Sequence, residues 1–276
     1  MVLLVLACLL APLGALSTWA KYDIGDTDAY VQNMAPLASN AAVQDAVADA
    51  VTKEVMKAVD LGPLTGTVET FINDAVKSFT GTKAFQTAWN AAVRAAHDAV
   101  QRALDDGSTD TVTIDLAPIT KQLKQQLVDE GAPFAKNIPV QHTEITVMTG
   151  NDLGSLRKGF HMLQIAGIWL PVASVLCALA GIALAVRRRR AITATGLGVA
   201  LAAVLLGIAL LISRHLTLSD LPPDISRDAA AAVYDALTSA LRLAVWVMLG
   251  VGLAVALGAF LAGRFSGRSN SSGERV

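Results

Sequence analysis

Apolar positions along this chain follow two regimes. In four blocks, residues 1–20, 161–186, 191–213 and 243–263, they run on without a polar face, and no Asp, Glu, Lys or Arg interrupts them. Each block approaches the ~20 residues that cross a hydrocarbon core of about 30 Å at about 1.5 Å per residue. The pattern predicts four transmembrane helices. Between the first two blocks the apolar positions instead recur with the periods of amphipathic elements, which predicts a folded domain over residues 21–160.

That domain reads as mainly helical. Asp26 or Thr27 can cap a short helix running to Ala35, where Pro36 stops it. Asn40 caps a longer one, in which Val43, Val47, Val51, Val55 and Val59 form a stripe, with Asp45, Asp49, Lys53 and Glu54 largely off it. Gly62-Pro63 breaks the chain before a third helix, about Thr67 to Phe79. A fourth helix, about 83–105, carries Phe85, Trp89, Val93, Val100 and Leu104 on one side, with His97 in the same stripe.

The period then switches to two. Val112, Ile114 and Leu116 alternate with polar residues, as do Ile145 and Val147. Between them Ile119, Leu123 and Leu127 mark a helix ended by Gly131 and Pro133, which predicts a strand–helix–strand unit. Parallel strands there would require a right-handed crossover. A last helix starts near Asn151 or Asp152, and its stripe of Leu153, Leu156, Phe160 and Leu163 runs into the second block. The expected fold is therefore mainly α: four spans plus a helical domain with a small strand–helix–strand unit, mounted on a helical stalk.

Charge orients the spans. Arg187, Arg188, Arg189 and Arg190 form the whole connection between the second and third blocks, and such a loop belongs in the cytoplasm by the positive-inside rule. The tail, 264–276, with Arg264, Arg268 and Arg275, agrees. Both termini are then cytoplasmic, and residues 21–160 and the shorter 214–242 segment lie outside. In that segment Pro222-Pro223-Asp224 precedes a helix marked by Tyr234, Leu237 and Leu241, expected to pack beneath the larger domain. The first block has no basic residue ahead of its apolar run, so either the true start lies upstream or the other spans fix its topology. Val5-Leu6-Ala7-Cys8 faintly resembles a lipoprotein cleavage box, but seven uncharged residues make a poor leader, and an uncleaved helix is expected.

Composition narrows the function classes. Between Lys21 and Lys158 there are 18 acidic and 12 basic residues, so the domain offers no basic patch for nucleic acid or for an anionic surface. Cys8 and Cys177 both fall inside apolar blocks, which leaves the domain without a disulfide. His97, His142, His161 and His215 have no metal-ligand spacing, and no metal or other cofactor is expected. Asp105-Asp106-Gly107-Ser108-Thr109-Asp110 could be drawn as a calcium loop but lacks the alternating ligands and terminal Glu of an EF-hand, so it reads as a polar turn. Asp45 and Asp49 read as a solvated helix face.

The most polar-decorated stretch holds Trp89, Asn90, Arg94, His97 and Asp98. From Asn90, spacings of four, seven and eight residues place Arg94, His97 and Asp98 on adjoining faces of one helix. This is the candidate ligand- or partner-binding site. The plainer alternative is a core-edge aromatic and histidine held by hydrogen bonds.

Inside the spans small residues repeat every three or four positions: Gly250, Ala254, Gly258 and Ala262 in the fourth block, Gly196, Ala200, Ala203 and Gly207 in the third, Ala173, Cys177 and Gly181 in the second. Such stripes let helices approach closely, within the bundle or between copies of the chain. Pro171 is expected to kink the second span. Gln164, Ser174, Thr193 and Thr195 are a thin polar lining for an ion or proton path.

The run Asp26-Thr27-Asp28-x-Tyr30 with Ala35-Pro36-Leu37, then Phe85-x-x-x-Trp89-Asn90-x-Ala92-x-Arg94-x-Ala96-His97, then Val112 to Leu116 with Pro118, resembles a group of uncharacterised integral membrane proteins of actinobacteria. The resemblance implies a four-helix protein of a bacterial plasma membrane and carries no activity. The sequence thus leads to a non-enzymatic envelope scaffold, sensor or interaction protein. Its expected partners are membrane lipids and another envelope protein or itself. The alternative is a permease subunit served by a separate ATPase, whose topology of one large loop and three clustered spans it shares. An envelope enzyme is a third possibility, disfavoured by the absence of recognisable motifs.

Overall fold

The computed structural model describes residues 2–57, 65–106, 111–115, 121, 124–125, 128, 144–149, 153–185, 188–223 and 225–266. It is mainly helical, and the chain divides into two compact units.

The first unit comprises residues 1–23, 161–216 and 238–276. Among the described residues it contains four helices long and apolar enough to cross a membrane, the architecture of a multi-pass membrane protein. These are α1 (Val2–Trp19), prolonged by a π-helical turn at Ala20–Ile24, then α6 (Leu153–Ala183), α7 (Arg188–Ser219) and α9 (Ser239–Ser266). The apolar blocks mark their central parts. At 32 residues α7 outruns its block at both ends, starting among the arginines and continuing past Arg214.

Backbone chemistry explains how α1 and α6 meet. Pro171 lies inside α6 and has no N–H, so the carbonyl of Gly167, four residues earlier, loses its helical donor. The Thr18 hydroxyl of α1 donates to that oxygen at 3.1 Å. Beside it Ser17 Oγ lies 3.3 Å from Ala166 O, and Ser174 Oγ donates back to Ala7 O at 3.0 Å. The helices come close enough for this because Gly14 faces Pro171: a Cβ there would sit 3.1 Å from the proline nitrogen. Further along, Leu4 occupies the space that a side chain on Gly181 would need. On its other sides α1 touches α7, where Cys8 packs on Gly198, and α9.

Helices α7 and α9 cross antiparallel at a second backbone contact. A Cβ on Gly196 would lie 2.6 Å from Gly252 O, and one on Gly252 would lie 2.7 Å from Gly196 O, with Ala200 and Ala256 completing the crossing. The expected stripe Gly250, Ala254 and Gly258 is placed elsewhere: a Cβ at Gly250 or Gly258 meets nothing within 4 Å among the described residues. Gly207 faces Val245.

The second unit comprises residues 24–160 and 217–237. Its helices are α2 (Thr27–Met34), α3 (Ala41–Lys57), α4 (Thr65–Thr80), α5 (Lys83–Asp106) and α8 (Arg227–Leu237). Helix α2 starts where Asp26 Oδ1 accepts the Ala29 N–H at 2.9 Å and gives way to a 3₁₀ turn, Ala35–Ser39, at Pro36. Asn40 Oδ1 accepts from Ala42 and Val43 at the head of α3. The core gathers Met34, Leu37 and Val43, with Tyr30, Val47, Trp89 and Val93 around them. Helix α8, far along the chain, packs on this core with Val233, Ala236 and Leu237.

The valine stripe of α3 splits. Val43 and Val47 join the core, whereas Val51 and Val55 stay 40 % and 39 % exposed. The reason is that α4 takes the flank of Ala48 and Thr52 instead, antiparallel to α3. Lys77 pairs with Asp45 at 3.0 Å, Asn73 donates to Asp49 at 2.9 Å, and Gln44 donates to Thr80 O at 3.0 Å. Asp45 and Asp49 are thus solvent-facing and also tie α3 to α4. The Asp45 carboxylate holds the Lys77 ammonium above its ordinary range, through a hydrogen bond first and its charge second.

The strand–helix–strand unit is not supported. Strands β1 (Thr111–Asp115) and β2 (Glu144–Thr149) pair antiparallel, Thr111 opposite Thr149 and Asp115 opposite Glu144, with an irregularity between Val112 and Thr113. The strands run antiparallel, a direction their alternation does not encode, and the described residues between them, Lys121, Lys124, Gln125 and Val128, are helical. The turn residues 107–110 and most of the segment expected to be a helix, with Ile119, Leu123 and Leu127, lie outside the described residues.

Gly252→Leu is expected to destabilise the detergent-solubilised chain by roughly 1–3 kcal/mol, as for an overpacked contact. Gly250→Leu should leave it unchanged, and thermal unfolding followed by circular dichroism compares the two.

Candidate functional site

Trp89, Asn90, Arg94 and His97 lie along three turns of α5, whose register is set where Thr82 Oγ1 caps the helix by accepting the Phe85 N–H at 3.2 Å. From that start the stripe Phe85–Trp89–Val93 turns toward α2 and the core. The structure brings Trp89, Arg94 and His97 to one seam, in which α5 runs antiparallel to the segment 24–39.

The contacts proceed in order. Gln86 Nε2 donates to Ser39 Oγ at 3.2 Å, and Trp89 Nε1 donates to Met34 O at 3.0 Å. The Trp89 ring continues an aromatic row through Phe85 to Phe79, with centroids 6.1 and 6.0 Å apart. One turn on, Arg94 pairs with Asp28 at 2.7 Å, at the surface. His97, 8 % exposed, stacks on Tyr30 at a centroid distance of 4.4 Å. Gln101 Nε2 ends the seam by donating to Gly25 O at 3.1 Å.

The hydrogen bonds of His97 account for both ring nitrogens. Nε2 lies 2.8 Å from Ile24 O, and since a carbonyl only accepts, Nε2 carries a proton. Nδ1 lies 3.0 Å from Thr27 Oγ1, which is also 2.9 Å from Asp98 Oδ1. One hydroxyl therefore bridges the histidine and the aspartate, and it stands on the first residue of α2. Burial pushes the Tyr30 phenol above its ordinary range, so the ring that stacks on His97 is uncharged at neutral pH.

Asn90 is the exception. Its Oδ1 is buried and has no hydrogen-bond partner among the described residues. A buried acceptor left unsatisfied costs about 1–3 kcal/mol.

The arrangement is a clamp. The guanidinium, imidazole and indole that gave the stretch its chemical look are each occupied by residues 24–34. The residues sequence reasoning missed are the partners: Thr27, Tyr30 and Gln101, with the carbonyls of Ile24, Gly25 and Met34. Asp26-Thr27-Asp28-x-Tyr30 is visible as a polar run, but nothing in its spacing points at a helix about 70 residues away. Among the described residues no group of three or more His, Cys, Asp or Glu is placed to hold a metal.

Trp89→Ala is expected to destabilise the second unit by about 3 kcal/mol, the low end for a core aromatic, because the ring is only half-buried. An unchanged melting temperature would remove Trp89 from the core. Asn90→Leu, of similar shape and with no acceptor to satisfy, should leave the melting temperature unchanged or raise it.

Compared with protein-family models, with curated proteins and with solved structures, the chain matches none.

Proposed function

We propose that this chain is a non-enzymatic envelope protein of a bacterial plasma membrane, with both termini in the cytoplasm and the helical unit of residues 24–160 and 217–237 outside. In this reading the unit acts as a scaffold, sensor or interaction module for another envelope protein, and the spans anchor it. The observation that carries the reading is the α2–α5 seam. The polar side chains most suited to chemistry are engaged in holding two helices together, and they build a folded module rather than a reaction centre. The four arginines at 187–190 support the orientation. The resemblance to actinobacterial membrane proteins supports the setting.

The permease reading gains nothing from the structure. Helices α6 and α7 are separated by four residues, 184–187, which offers little for an ATPase to grip.

Two readouts on the full-length chain in its native membrane test the proposal. With Cys8 and Cys177 replaced by Ser, a cysteine at Gln32 should react with an impermeant maleimide in intact cells, and one at Ser272 only after permeabilisation. The reverse pattern would invert the topology and end the proposal. Cross-linking with mass spectrometry should capture an envelope protein through the second unit. Capture of an ATPase instead would replace this reading with the permease subunit.

A further inference from the structure

We propose that the cleft between the N-terminal end of α7 and the C-terminal part of α9 is a binding site for one anionic phospholipid. It is an open groove of about 700 Å³ within the first unit, lined by both charged and apolar residues. Arg189 and Arg190 stand at the start of α7, with Thr193, Ala194 and Leu197 further along it, and on antiparallel α9 Ala259 and Phe260 complete the lining level with the arginines.

The charged rim suits a phosphate. A guanidinium presents a planar fork of N–H donors to phosphate oxygens, and two such groups supply more positive charge than a monoanion needs. Among the described residues neither Asp nor Glu lines the cleft. The site is also at the start of α7, where the first backbone N–H groups have no helical acceptor and the helix dipole favours an anion.

The apolar lining suits an acyl chain. From Arg190 to Leu197 is seven residues, about 10 Å along the helix, so the apolar lining runs from Phe260 beside the charged rim to about that depth. Leu197 and Phe260 are 53 % and 59 % exposed, and Ala194 and Ala259 between them leave room. A dissolved phosphate would satisfy the arginines but leave this lining bare. A phospholipid covers both with one molecule, and in a bilayer it is the species present at that depth. Basic pockets between membrane helices recognise anionic headgroups on these terms. The inference holds whichever face of the membrane carries the arginines.

The test is native mass spectrometry of the full-length chain in uncharged detergent, titrated with phosphatidylglycerol or with phosphatidylcholine of the same acyl chains. The chain should bind phosphatidylglycerol more tightly by about tenfold or more. Arg189→Gln with Arg190→Gln should erase that preference while Arg187 and Arg188 keep the loop basic. Ala194→Phe fills the cleft without touching a charge and should weaken phosphatidylglycerol binding by a similar factor. Equal binding of the two lipids, or a preference that survives the double substitution, overturns the proposal. So does displacement of the lipid by millimolar inorganic phosphate together with no effect of Ala194→Phe, which would mark a simple anion site. Should the arginine variant lose its helical circular dichroism, Ala194→Phe decides alone, and unchanged affinity overturns the inference.

Discussion

A helix in hydrocarbon must satisfy its own backbone, and this bundle turns on a place where a described contact shows that it does not. Pro171 removes a donor from α6, the Gly167 carbonyl is left over, and Thr18 of α1 supplies the missing hydrogen bond. That bond requires two backbones to run unusually close, which requires glycine at the crossing. Gly14 against Pro171 meets the requirement, and Gly181 opens space for Leu4 by the same logic. The α7–α9 crossing at Gly196 and Gly252 repeats the device without a proline. Since lipid tails offer no hydrophobic gain for helix association, packing and such hydrogen bonds are what remain to hold the spans together.

The second unit rests on a different balance. Its core is small and rich in alanine, and few large side chains are fully buried. Order therefore depends on polar contacts that fix helix against helix. The α3–α4 pair is tied through Gln44, Asp45 and Asp49, and the α2–α5 pair through Trp89, Arg94, His97 and Gln101. Helix α8 then seals the core with a segment that follows the third span in the chain. This unit is thus completed only by residues on both sides of two apolar helices, so its integrity and theirs are linked through the chain itself.

The two units also divide the chemistry. In the second, Trp89, Arg94 and His97 are engaged by residues 24–34. In the first, Arg189 and Arg190 border a cleft that opens onto an apolar wall. Substitutions along the seam act on folding, whereas substitutions at the cleft act on what the membrane can place there.

The chain by itself determined whatever depends on neighbours in sequence. Uninterrupted apolar length marked the four spans, and Asp26, Asn40 and Pro36 marked the ends of α2 and α3, because caps and breakers act within one helical turn. The extent of α5 was legible from its unbroken stripe, and β1 and β2 were legible as strands from their alternation. Everything that needed a partner was decided by tertiary structure. Period two makes a strand without saying which way its neighbour runs, so the antiparallel pairing could not be read from Val112 and Ile114. The stripe Gly250–Ala254–Gly258 looked equal to any other, but a helix buries one face, and here that face carries Gly252 and Ala256. Likewise Trp89, Arg94 and His97 read in sequence as a binding site or as a core edge held by hydrogen bonds, and only the fold supplies the residues 24–34 that engage them. A side chain's chemistry is written in the chain; whether it is engaged depends on the residues that folding brings to it.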